Sequence, residues 1–137
     1  MNSDFTLAVH SLTLLSLLPD RMSTSDAIAE SACVHPVRIR KVLGLLKKQG
    51  FIQSREGTGG GFVFTKEPSE VSLWDLYQLT ANGTIQPKCP KSNHECIVGS
   101  NMKHVLTSIF EDGEEYLGSF LNQYTIQDIV KQVKQES

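Results

Sequence analysis

The chain has 137 residues, of which 39% are hydrophobic and 7% aromatic, with 13 basic against 15 acidic side chains for a net charge of −2. That supports one globular domain with a real core plus an appendage. Three cysteines, an odd number, argue against a disulfide scaffold and for free thiols, a metal or a redox switch.

Residues 4 to 18 predict a first helix that is apolar on nearly all sides, with Phe5, Ala8, Leu12 and Leu15 on one stripe and Leu7, Leu14 and Leu18 on another. Thr6, His10, Ser11, Thr13 and Ser16 interrupt the apolar run, which spans about 14 positions where a membrane helix needs about 20. It has no basic leader or cleavage site, so the expectation is neither anchor nor signal peptide, and a cytoplasmic protein. A helix apolar all round is buried from two directions, and a second subunit is a natural source of the other side. Pro19 and Asp20 end it, and Ser23 or Ser25 caps a short helix over residues 26–31 with Ile28 and Ala29 inward.

The next helix runs from Pro36 to Gln49, with Pro suited to a first helical turn and Gly50 to the stop. Ile39, Val42, Leu43 and Leu46 fall on one apolar arc, opposite Val37, Lys41, Gly44 and Lys48 and flanked by Arg38 and Arg40. Between Ser31 and Arg55 stand six basic residues and no acid, which leaves seven basic against fifteen acidic elsewhere, a net of −8. Charge concentrated on one element binds a polyanion even when the whole chain is mildly acidic, because phosphate attraction is local and screened beyond about 10 Å. Two short apolar strands, at Phe51-Ile52 and Phe62-Val63-Phe64, flank a tip containing Gly57, Gly59, Gly60 and Gly61. Those glycines supply positive φ and remove bulk, which lets the tip approach a sugar-phosphate backbone. A strand rather than a helix follows, and no Lys-Ser/Thr pair, which rules out a nucleotide phosphate loop. Helix, turn, basic helix and wing is the order of a winged helix-turn-helix.

Ser69 or Ser72 then caps a helix through about Ala81, with Trp74 assigned to the core. Residues 82–95 form a long irregular segment holding Cys89 and His94 and ending at Cys96. From Ile97 to about Leu121 one helical face carries Val98, Met102, Val105, Leu106, Ile109, Phe110 and Leu117, with Tyr116, Phe120 and Leu121 continuing it and Gly113 in its middle. An apolar face of that length outside the recognition domain needs a partner surface, so this is read as a dimerisation helix. Thr125 with Asp128 caps a last short helix, whose Ile126, Ile129, Val130 and Val133 are expected to dock on the dimer. The fold class expected is mainly α with a small β-hairpin wing. It divides into a winged helix-turn-helix over residues 1–82, a cysteine-containing sensor loop over 83–96, and dimerisation and C-terminal helices over 97–137.

Four stretches, RIRKVLGLLKKQG (Arg38 to Gly50), SREGTGGGF (Ser54 to Phe62), EVSLWDLY (Glu70 to Tyr77) and CIVGSN (Cys96 to Asn101), together resemble the Rrf2 family of bacterial regulators, of the IscR, NsrR and CymR kind and nearest its YwnA-like branch. The resemblance covers most of the chain in the family's order. It implies a homodimeric winged-helix DNA-binding protein, usually a repressor, whose long helices cross at the dimer interface. Cluster-binding members carry three closely spaced cysteines before the long helix. This chain has Cys89 and Cys96, with His94 as a third donor, where an iron–sulfur or zinc site asks for about four. A cluster on Cys89, His94 and Cys96 is therefore the alternative, and no cofactor is the main expectation.

Cys33 lies in the turn before the basic helix, where the helix N-terminus and Arg38 would favour a reactive thiolate; the other reading is a small buried turn residue. Cys33, Cys89 and Cys96 are the redox-sensing candidates, with a disulfide between Cys33 and the loop cysteines across a dimer as the proposed sensing event. The residues expected to meet double-stranded DNA are Ser25, His35, Pro36, Val37, Arg38, Arg40, Lys41, Lys48, Arg55, Thr58, Gly59 and Gly60. A competing reading makes the winged helix a protein-binding module that uses Leu45 and the wing. An enzyme is excluded for want of a nucleophile–base pair, paired carboxylates or a complete ligand set, since His10, His35, His94 and His104 fall on different elements.

Overall fold

The computed structural model describes residues 2–136. In order it contains α1 (Asp4–Leu17), a 3-10 turn (Pro19–Arg21), β1 (Met22–Ser23), α2 (Ser25–Ala32), α3 (Pro36–Lys48), β2 (Ile52–Arg55), β3 (Gly61–Phe64), a second 3-10 turn (Pro68–Glu70), α4 (Leu73–Thr80), α5 (Ile97–Leu121) and α6 (Ile126–Glu136). The core joins Leu7, Ala8, Leu12 and Leu15 of α1 to Ile28 and Ala29 of α2 and to Ile39, Val42, Leu43 and Leu46 of α3. Ile52, Phe64, Val71, Leu76, Ile126 and Val130 complete it. α1 is buried despite its hydroxyls because Ser11, Thr13 and Ser16 donate to the carbonyls of Leu7, Val9 and Leu12, each at 2.7 Å.

The sheet holds one strand more than the hairpin expected. β1 pairs antiparallel with β3, which pairs with β2, in the order β1-β3-β2. Two residues are too few to show alternation, and β1 exists only because Met22 and Ser23 lie opposite Val63 and Phe62. The extra strand explains Gly61, where a Cβ would strike the Ser23 carbonyl of β1. Gly60 serves the hairpin itself, since a Cβ there would strike the Arg55 carbonyl of β2.

One helix cap differs from expectation, and another is the Ser72 expected. α2 is capped by Thr24, whose hydroxyl accepts from Ala27 N–H, and Ser25 is already the first helical residue. α4 carries a reciprocal box between Ser72 and Asp75. Trp74 is half-buried, stacked 5.3 Å from Tyr77, and it is Tyr77 that is fully buried. α6 begins with the Thr125–Asp128 box and returns to its own domain: Ile126 N–H donates to Val71, Leu73 N–H to Tyr124, and Ile126 and Val130 enter the core beside α1. The expectation that these two residues dock on a dimer is corrected, since α1 and the segment before α4 already cover them.

Candidate DNA interface

α2 and α3 form the helix-turn-helix. Cys33 ends α2 in the left-handed region (φ 55°, ψ 44°), its N–H and that of Val34 donating to Glu30 and Ala29. That tight reversal sends the chain directly into α3, whose cap is the His35 ring: Nδ1 accepts from Val37 N–H at 3.2 Å. Pro36 occupies the first helical position as expected. Cys33 is exposed, which corrects the reading of it as a packed turn residue.

α3 separates its chemistry by face. Ile39, Val42, Leu43 and Leu46 are fully buried, whereas Val37, Arg38, Arg40, Lys41, Gly44, Lys47 and Lys48 are exposed. Leu45 is half-buried. Val37 is an aliphatic side chain left 60% exposed in the first turn, on the same side as Lys41, Gly44 and Lys48. In the wing, Arg55, Thr58 and Gly59 are exposed and Gly60 is half-buried in the turn.

Three of the cations are already engaged. Asp4, in the first turn of α1, has a side chain only 8% exposed and lies 3.4 Å from Arg38 and 3.5 Å from Lys41. Arg38 also donates to the Ser3 hydroxyl. Arg40 pairs at 3.7 Å with Asp26 of α2, whose carboxylate is 79% exposed. Sequence reasoning missed Asp4 because its partners lie 34 residues and more along the chain, and no local pattern signals that contact.

α5 stands apart from this arrangement. It meets its own domain through Glu114, which accepts from Tyr77 O–H at 2.8 Å and Gly83 N–H at 2.6 Å, and through Gly118, where a Cβ would collide with the Trp74 ring. Burial pushes the Tyr77 phenol above its usual range, with the adjoining Glu114 carboxylate adding to that rise. At about 100° per residue, Glu114 and Gly118 lie roughly 140–180° from Ile109. The apolar face therefore points outward: Val98, Met102, Val105, Ile109 and Phe110 are exposed, and Leu106 and Leu117 half-exposed. Cys96 is the exposed residue preceding α5, and the backbone N–H groups of Gly99 and Val98 hold its thiol below the usual range. Cys89 is half-buried, its Sγ 3.9 Å from the Pro87 carbonyl.

Residues 1–132 match the Rrf2 family, described as an iron-dependent transcriptional regulator. The chain belongs to the Rrf2 family. It is 28% identical over 138 residues to YwnA of Bacillus subtilis, named as an HTH-type transcriptional regulator, covering 95% of this chain and 96% of that one. A crystallised transcriptional regulator from Lactobacillus plantarum superposes with a TM-score of 0.84 at 28% identity, over 98% of this chain and 91% of the other. IscR of T. potens shares the fold, with a TM-score of 0.73 at 17% identity over 100% and 90% of the two chains. This Rrf2 chain is accordingly a transcriptional regulator and not an enzyme.

The iron of the family description would need a converging set of donors. Among the described residues no group of three His, Cys, Asp or Glu side chains converges as ligands, so Cys89, His94 and Cys96 do not assemble a site within one chain. Among the described residues no helix is long and apolar enough to cross a membrane.

Proposed function

We propose that the chain is a homodimeric, sequence-specific DNA-binding repressor that reads the major groove with α3 and the adjacent backbone with its wing. The observation that carries this reading is the division of α3, four fully buried aliphatic residues on one side and exposed cations with Val37 on the other. An α-helix fits the major groove, Arg and Lys pair with guanine edges or phosphates, and an exposed valine suits a thymine methyl group. Ser25, His35 and Pro36 at the helix starts, with Arg55, Thr58, Gly59 and Gly60 in the wing, are assigned to backbone contacts.

The outward apolar face of α5 supports the dimer. Val98, Met102, Val105, Ile109 and Phe110 form an exposed seam, with Leu106 and Leu117 half-exposed along it. An apolar groove of about 520 Å³ between α1 and α6, lined by Phe5, Val9, Leu14, Leu17, Ile129 and Val133 among others, is a complementary seat for a second copy. This is the second covered side that the composition of α1 calls for. Two recognition helices related by a twofold axis would meet half-sites about 34 Å apart.

Modulation by thiol oxidation or a small ligand completes the proposal. Cys96 has its thiolate favoured at the start of the seam, and Cys33 sits at the reversal that aims α3, so oxidation at either would act on the spacing of the two reading helices. The deciding experiment is a gel shift with genomic fragments at two salt concentrations, with and without diamide, on the native chain and Cys33→Ser. Retarded complexes that survive at higher salt and dissolve with oxidant support the reading. Uniform, fully salt-sensitive binding would reduce it to a non-specific polyanion contact.

A further inference from the structure

We infer that Asp4 is a specificity-determining residue: an internal carboxylate that holds Arg38 and Lys41 of the recognition helix back from indiscriminate phosphate binding. The inference rests on the DNA-binding role proposed for α3.

Asp4 belongs to α1, yet its carboxylate meets two cations of α3, Arg38 Nη2 at 3.4 Å and Lys41 Nζ at 3.5 Å, on separate oxygens. The start of α1 that carries it is itself tied down. The Asp4 N–H donates to Asn2 Oδ1, and Arg38 also donates to the neighbouring Ser3 hydroxyl. A carboxylate with 8% exposure has lost most of its water and depends on those two cations for compensation, so it cannot swing away when DNA approaches. The cations, at 44% and 68% exposure, remain within reach of phosphates but must divide their charge between Asp4 and the duplex. Asp26 is a different case. Its side chain is 79% exposed, so solvent screens its pair with Arg40, and Arg40 is released at little cost.

Non-specific affinity scales with the number of phosphates neutralised, whereas base contacts depend on where a cation is held. A fixed carboxylate behind Arg38 and Lys41 lowers the first quantity and preserves the second. Specificity is a difference of two affinities, and weakening the competitor widens it without any new contact to the operator.

The test compares full-length Asp4→Asn, Asp4→Ser and Asp4→Glu with the native chain, by fluorescence anisotropy between about 50 and 200 mM salt. Each is titrated with a random-sequence duplex and with a duplex enriched by the native chain from a random library. Ser is included because it removes the charge while keeping a good helix-start residue. Asn and Ser are expected to bind random duplex about three- to tenfold more tightly at low salt, with a log–log salt slope steeper by about one to two. The enriched duplex should gain less, so the specificity ratio falls, and Glu should restore native behaviour. Folded Asn or Ser variants whose random-duplex affinity and slope match the native chain, or weaken, would overturn the inference. A native chain that binds neither duplex at low salt would instead overturn the DNA-binding reading beneath it.

Discussion

α3 and α5 are both amphipathic, and the two helices do opposite things with their apolar faces. α3 sinks Ile39, Val42, Leu43 and Leu46 completely into its own domain and turns its cations outward. α5 docks on α4 through Glu114 and Gly118, on the side away from its apolar seam, and turns Val98, Met102, Val105 and Ile109 outward. Periodicity identifies the face that must be covered and is silent on what covers it. α3 is covered by its own chain, and the seam of α5 faces away from its own chain.

Two substitutions break that comparison most sharply. Leu43→Ala should destabilise the domain by about 2–5 kcal/mol at any protein concentration, read as a lower midpoint of denaturant unfolding. Ile109→Glu should leave that midpoint at low concentration unchanged and shift sedimentation from dimer to monomer. A charge buried on a seam without a partner costs about 3–5 kcal/mol there, and the side chain is 57% exposed in the single chain. If Ile109→Glu instead lowered the midpoint of the isolated chain, α5 would be a core element like α3.

The polar face of α3 is sharpened by Arg40→Ala and Lys41→Ala. Each should weaken operator binding by about 1–3 kcal/mol if it reads a base, and evenly across sequences if it meets only phosphate. Circular dichroism should register no loss of fold, because both side chains are exposed.

Much of this was legible beforehand, for reasons that differ from element to element. The bounds of α3 follow from strong periodicity ended by Gly50, those of α5 from periodicity alone, and the Thr125–Asp128 pair marks the start of α6. β1 was hidden because two residues carry no pattern. The size and apolarity of Trp74 point to the core, whereas its position beside α5 leaves it half-buried and gives Tyr77 the interior. The fate of α6 and the role of Asp4 depend on contacts between distant segments, which amphipathicity cannot address. The sequence puts Cys33 in the turn, but its left-handed backbone is a property of how α2 is capped.

That last point yields a smaller effect. Glycine adopts the φ of 55° at position 33 without the Cβ penalty, so Cys33→Gly should stabilise the fold by roughly 1 kcal/mol relative to Cys33→Ser, by thermal melting. Equal stability would mean that the turn carries no strain. Smaller still is an acid effect at α6. The Thr125 backbone N–H and hydroxyl hold the Asp128 carboxyl below its ordinary value, so its contribution is present above the unfolded carboxylate range. It is lost as pH falls through the lowered folded value, and Asp128→Asn should flatten that part of the pH–stability curve.

The most direct test of a twofold-symmetric DNA reader is enrichment from a random double-stranded library, sequencing what the native chain retains. The account predicts a palindromic consensus whose half-sites are centred about one helical turn apart, or a multiple of it. A single asymmetric half-site, or no enrichment over the starting pool, would contradict it.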